Sequence, residues 1–281
     1  MKKMNERRDP GPRHDRPVVG VLHPGAMGAA IGSALKARAG AVLWAAAGRS
    51  QATSKRAELA DLVAVPDVAV LAQRCDVIIS ICPPHAALAV AEQVAAGLAG
   101  RDPAHRPLYV EANAVSPATV RRVAELLGGD EHVVDGAVIG PPAWERGQSV
   151  LWLSGRHADQ VAGLFEGSPF EARVLGPEPG TASALKACFA LQSKALPTLW
   201  LLLAEAADKA GVGEALRSEL TRDGVDLDER VAALHTKAGA KAWRWAGEMD
   251  EAADTMAELG VPDGFSRAAA ELYRRMPDTP S

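Results

Sequence analysis

At 281 residues the chain is long enough for one large domain or two medium ones. Hydrophobic residues make up 48% and charged residues 23%, the balance of a chain with a packed core, and a formal net charge of −4 excludes the strong basic field used on nucleic acid or anionic membranes. Three widely spaced cysteines, Cys75, Cys82 and Cys188, form no CxxC pair and have no neighbouring histidine cluster. That argues against a disulfide framework or a zinc site and for reduced thiols, with Cys82 and Cys188 buried in their apolar runs; no metal is expected.

Residues 1–16, MKKMNERRDPGPRHDR, are charged and rich in Pro and Gly, lack the apolar core of a signal peptide, and read as a disordered tail. Short apolar runs then alternate with helical patterns: a strand at 18–22, a helix at 25–40, a strand at 41–47, a strand at 76–82 ended by Pro83-Pro84, and a helix at 85–98. A strand at 107–112 follows, then a helix opened by Ser116-Pro117, then strands at 132–140 and 149–155. Continuous apolar strands separated by helices predict an α/β fold, an N-terminal Rossmann domain built on a doubly wound parallel sheet. After about Gly180 strand signals stop and apolar residues recur at helical spacing, so an all-α C-terminal domain follows. The expected division is a tail at 1–16, a nucleotide-binding domain at 17–178 and a helical substrate and dimerisation domain at 179–281. Pro197 is expected to kink or break its helix. The greasiest stretch, residues 196–207, is too short to span a bilayer, and a cytoplasmic protein is expected.

The first strand runs into His23, Pro24, Gly25, Ala26, Met27 and Gly28, where a dinucleotide fingerprint belongs. Gly25 lets the backbone approach a pyrophosphate, Gly28 lets helix and sheet pack closely, and the following helix offers free N–H groups to the phosphates. His23 replaces the usual first glycine, so the tight turn must form with a side chain present. A site for NAD places an acid about 20 residues beyond the glycines to hold the ribose hydroxyls. Here no Asp or Glu occurs between Arg16 and Ala57; Arg49 and Ser50 stand at that place, with Lys55 just after. A guanidinium suits a 2′-phosphate by charge and by its forked donors, so NADP is expected over NAD.

With these residues in hand the chain resembles the β-hydroxyacid dehydrogenase superfamily, which includes 6-phosphogluconate dehydrogenase, 3-hydroxyisobutyrate dehydrogenase and imine reductases. VGVLHPGAMG resembles its nucleotide motif and GRS its Asn-Arg-Ser/Thr; EANAVSP (111–117) resembles the loop after the fifth strand, VDGAVIGPPAWERG (134–147) the substrate loop, and GTASALKACFA (180–190) the segment of the catalytic lysine. The run at 242–260 looks like that of a subgroup whose C-terminal domain resembles that of 6-phosphogluconate dehydrogenase. The resemblance implies an NADPH-dependent oxidoreductase that moves a hydride between nicotinamide and a hydroxyacid-like or other carbonyl substrate, with Lys186 as general acid or base. It adds Cys82, Pro83 and Asn113 to the cofactor side, and Ser116, Ile139, Gly140, Pro141, Phe189 and Lys194 to the substrate side. Ser116 alternatively only caps its helix. It also implies a homodimer.

The chain departs from the family where an asparagine usually follows the lysine, for Phe189 and Ala190 stand there, and where Ser-Gly-Gly is common, for Ile139-Gly140-Pro141-Pro142 replaces it. Each proline removes a backbone N–H that would hold a carboxylate, so a more apolar pocket is expected. Trp144, Trp200, Trp243 and Trp245 belong to the core or a dimer interface more readily than to that pocket. Two alternatives stand beside the leading reading: an imine reductase, against which the lysine argues, and a non-catalytic NADP-binding sensor.

Overall fold

The computed structural model describes residues 16–276, so the tail expected at 1–16 lies almost wholly outside the described residues. Eight strands form one sheet in the order β3-β2-β1-β4-β5-β6-β7-β8. They are β1 (Val18–Val21), β2 (Ala41–Ala45), β3 (Val63–Val65), β4 (Val77–Ser80), β5 (Leu108–Glu111), β6 (Val133–Ile139), β7 (Val150–Ser154) and β8 (Glu171–Gly176). The first six are parallel, and period-two alternation sends their side chains into two apolar layers. Val19, Val21, Val77, Ile79 and Val110 enter one layer, with Ile31 and Leu35 of α1 (Ala26–Leu35); Ile78 and Tyr109 enter the other, with Leu71 of α3 (Val68–Arg74), Val94 of α4 (Ala87–Gly97) and Val123 of α5 (Pro117–Leu127). Helices on both faces cover a sheet whose strands are apolar on both sides, the doubly wound arrangement the sequence predicts.

One part of that expectation is corrected. β7 runs antiparallel to β6, with Ala137 opposite Trp152. Only residues 140–149 join them and no helix crosses back over the sheet, so the chain must reverse. Two further strands and three helices went unread: β3, between α2 (Gln51–Leu59) and α3, and β8, after α6 (Ala158–Gly163). β3 has only three residues, apolar but two of them exposed, and β8 opens on Glu171 and is mostly exposed, so neither carries the long buried run that marks the central strands.

From residue 181 the chain is helical: α7 (Thr181–Ala190), α8 (Leu196–Lys209), α9 (Gly213–Arg222), α10 (Leu227–Ala238), α11 (Ala242–Glu258) and α12 (Gly264–Arg275). Pro197 does not break its helix. Residues 191–195 widen into one π turn, and α7 continues through it into α8. A π turn absorbs the missing N–H and the ring of the proline, and Tyr273 donates to the Lys194 carbonyl there at 2.8 Å. The joined helix, Thr181–Lys209, has 29 residues and is by length and composition long and apolar enough to cross a membrane, a test that the core helix of a folded protein also passes. In this fold one side of it packs in a helical core with Leu234, Trp245, Met249, Ala270 and Tyr273, where Trp245 meets Tyr273 edge-on at 5.5 Å. Cys188 is exposed on that helix, against the burial expected from its apolar run, while Cys75 is buried.

Candidate functional site

The parallel order reverses at β1, whose neighbours are β2 on one side and β4 on the other. The crevice at the carboxyl ends of those strands is where an open α/β sheet takes its ligands. His23 to Gly28 lie there, between β1 and α1. A Cβ on Gly28 would sit 2.1 Å from the His23 carbonyl oxygen, so this close helix–strand approach requires glycine; Gly25 faces open space. The turn needs no unusual backbone at His23, since among the described non-glycine residues only Asp61 has a positive φ.

Arg49, at the end of β2, reaches over the same crevice. Its Nε and the Nδ1 of His23 are both shut off from solvent and unpartnered. Burial, and then the neighbouring Arg49 guanidinium, pulls the His23 imidazole down to about 4, so it is neutral near pH 7. Burial also depresses Arg49. A half-buried guanidinium beside an open glycine loop is unfavourable until an anion joins it, and the donor set fits the phosphates of a dinucleotide. Ser50 caps α2, accepting from the Thr53 N–H at 3.2 Å. Lys55 turns away to Glu58 at 3.0 Å on the exposed face of α2.

Across the crevice, Asn113 is buried and its amide is spent within the fold. Its Oδ1 accepts from the Cys82 N–H and its Nδ2 donates to Ser80 Oγ at 3.2 Å, which ties the end of β4, with Pro83 beyond it, to the loop after β5. Glu111 lies fully buried beneath this junction. One of its oxygens accepts from the Asn113 N–H at 3.0 Å and the other has no partner; burial pushes the carboxyl up to about 8.

Lys186 is on α7, and a carboxylate that the sequence reading missed fixes where α7 begins. Buried Asp135 of β6 accepts from the Gly180 N–H at 2.9 Å, the Ser183 N–H at 2.9 Å, Ser183 Oγ at 2.6 Å and Ser154 Oγ at 3.1 Å. Ser154 Oγ in turn accepts from the Ala182 N–H at 3.0 Å. The orphan donors of a helix start are thereby satisfied from the sheet. One turn on, Lys186 Nζ donates to the Val138 carbonyl, next to Ile139 at the mouth of the substrate loop. In that loop Gly140 holds φ +131°, a conformation for glycine, and exposed Pro141 accepts from Ser149 Oγ through its carbonyl.

Lys186 lines a narrow cleft with Ala114, Val115, Ala190, Glu248, Glu251 and Ala252. Burial, and then the charge of Lys194, lower its ammonium from 10.5 to about 8; Glu248 opposes and Arg244 adds to the lowering. Lys194 stands in an ion pair with Glu248, which also holds Arg244 at 3.4 Å. Ser116 is buried as the cap of α5, its Oγ accepting from the Thr119 N–H at 3.2 Å, while its own N–H donates to Glu251 at 2.7 Å. Phe189 is 42% exposed and does not line the cleft, whereas Ala190 does. Of the four tryptophans weighed for the pocket, Trp245 is buried in the helical core, Trp144 and Trp243 are exposed, and Trp200 packs beneath Arg230. Arg244, Glu248 and Glu251 all come from α11. They fall in the run at 242–260, where their i, i+4 and i+7 spacing shows one helix face but not what it meets.

Residues 207–276 match the family model described as a domain of unknown function, DUF1932. A conserved protein of unknown function, MTH1747, whose structure is described as similar to 3-hydroxyacid dehydrogenases, is 27% identical and superposes with a TM-score of 0.62 over 92% of this chain and 96% of its own. The chain shares the fold of 3-hydroxyacid dehydrogenases. The Mycobacterium tuberculosis 3-hydroxyisobutyrate dehydrogenase, solved with L-serine, shares the fold at 17% identity, with a TM-score of 0.65 over 92% of this chain and 93% of its own. An uncharacterised 28.5 kDa protein of Methanothermus fervidus is 31% identical over 170 residues, which span 60% of this chain and 62% of that relative. Imine reductases and a reductive aminase solved with NADPH are further neighbours in fold. The chain thus carries an open crevice at the carboxyl ends of its central strands and a lysine cleft beside it.

Proposed function

We propose that this protein is an NADPH-dependent oxidoreductase acting on a hydroxyacid-like or other carbonyl and alcohol pair, with Lys186 as the acid or base. The observation that carries the reading is Lys186 itself: a lysine held at the mouth of the substrate loop, in a cleft beside the crevice, with its ammonium lowered to about 8. At that value both protonation states are populated near neutrality, which suits a group that gives and takes protons.

The residues that would hold NADP are the 23–28 loop through its backbone N–H groups and Arg49 through its guanidinium, directed at a 2′-phosphate. When bound, the nicotinamide would supply or accept the hydride. For carbonyl reduction, the Lys186 ammonium donates its proton to the substrate oxygen as the C=O bond becomes C–OH; for oxidation, the neutral amine takes that proton back. The Val138 carbonyl and the four hydrogen bonds at Asp135 hold Lys186 in place while this happens. A second reading, reduction of a C=N bond, draws support from the small apolar side chains around Lys186 and from the fold shared with imine reductases.

The test is NADPH consumption over a panel of 2- and 3-oxoacids, aldehydes, bulky ketones and cyclic imines, for the native protein, Lys186→Ala and Arg49→Ala. Lys186→Ala is expected to lose turnover while keeping NADPH affinity. Arg49→Ala is expected to weaken NADPH by about tenfold or more and NADH little, the loss of a charge-assisted contact. Normal turnover in Lys186→Ala would remove the catalytic assignment. Bound NADPH with no turnover on any substrate would favour a sensor.

A further inference from the structure

Three features around the Lys186 cleft are of the kind that would bind a substrate carboxylate. Lys194 and Arg244 are two cations; the start of α5, with the Ser116 N–H and the Thr119 hydroxyl, is the third. All three are already occupied by carboxylates of this chain. Glu248 takes Lys194 and Arg244. Glu251, one turn further along α11, accepts from the Ser116 N–H at 2.7 Å and from Thr119 Oγ1 at 3.0 Å. Both acids line the cleft with Lys186, Glu248 is only 9% exposed, and the rest of the lining is Ala and Val. Lys194 is further held by the Trp245 ring, 5.7 Å from Nζ, so it has little freedom to turn to a second partner.

We infer that Glu248 and Glu251 are resident carboxylates that fill the anion-binding positions of this cleft and set its specificity, so that the substrate presented to Lys186 carries an uncharged group where a hydroxyacid carries its carboxylate. The inference rests on the cleft being the substrate site. An incoming carboxylate would have to displace Glu248 from two cations or lie against two carboxylates. A neutral carbonyl or imine can lie against the alanine and valine side chains and the Lys186 ammonium without setting a charge of its own against Glu248 and Glu251. The chemical class selected is an uncharged ketone, aldehyde or imine.

The experiment compares two probes of one shape, isobutyrate and isobutyramide, binding to the NADPH-loaded protein by saturation-transfer NMR. The native protein is expected to bind the amide at least as well as the acid. Glu248→Gln frees Lys194 and Arg244 and is expected to shift the ratio toward isobutyrate by about tenfold, the worth of one charge-assisted contact. Glu251→Gln keeps an oxygen for the Ser116 N–H, removes the charge and is expected to shift the ratio the same way, which serves if Glu248→Gln does not fold. A native preference for isobutyrate, or unchanged ratios in the folded variants, would overturn the inference and leave the cleft as a substrate site. Failure of both probes to bind would overturn the reading of the cleft and the inference with it.

Discussion

Asp135→Ala tests whether the sheet positions the lysine. The substitution removes the acceptor for two buried backbone N–H groups, Gly180 and Ser183, both 2.9 Å from Oδ2. The two hydroxyls that also point at Asp135 can rotate toward other oxygens, but the N–H groups cannot. Each buried donor left without a partner costs about 1–3 kcal/mol, so the pair should cost about 4 kcal/mol. For a chain of this length that corresponds to a fall in Tm of about 7 °C. Lys186 lies one turn beyond Ser183, so loosening the start of α7 should also move Nζ; a displacement of about 1 Å can cost on the order of a hundredfold in kcat. The 23–28 loop and Arg49 are at the other side of the crevice, and NADPH affinity should stay within about twofold of native, since no cofactor-side group is touched. Asp135→Asn retains one acceptor oxygen and should lose about half as much stability, in line with the worth of a single cap. The assays are thermal unfolding, NADPH titration by fluorescence, and steady-state kinetics on whichever substrate the panel yields. A Tm within about 2 °C of native together with unchanged kcat would refute the argument, for a shift that small leaves no room for two stranded donors.

Two pH dependences follow from the buried titratable groups. The rate of reduction should fall as pH rises through about 8, where the Lys186 ammonium loses its proton, and oxidation should rise through the same value. Lys194→Gln removes the nearby cation and leaves Glu248 with Arg244 alone, both of which raise the Lys186 value, so its limb should move to higher pH; a limb that stays in place would exclude Lys194 as the neighbour that tunes it. Glu111 works on stability. Its folded value of about 8 stands above the ordinary 4.5, so between those limits the native state holds a proton that the unfolded chain has released. Stability should therefore decline as pH rises through that window, by up to about 5 kcal/mol in all. Glu111→Gln should flatten the decline, read as denaturant midpoints at pH 5 and pH 9, and parallel curves for the two proteins would contradict it.

The sequence determined the sheet's central strands, because Val18–Val21 and Val77–Ser80 are buried on both faces and admit no polar residue until Ser80, where the strand meets the crevice. It also pointed to the crevice proposed for a nucleotide, because glycines after the first strand and an arginine after the second are local backbone and charge requirements. It did not determine the short or exposed strands β3 and β8, whose pairing rather than composition makes them strands. The helical continuity across Pro197 was equally hidden, since it depends on a π turn that opens between Leu191 and Ala195. Only the tertiary structure decided the chemistry around Lys186. Asp135 lies 51 residues before that lysine and Glu248 lies 62 after it, and although both fall in runs that resemble the family's, nothing in those runs shows what either carboxylate meets. A sequence records which side of an element is apolar, but the partner of a buried charge is chosen by how separate elements pack, and here α11 lays two carboxylates against cations and helix donors from α7, α5 and the π turn.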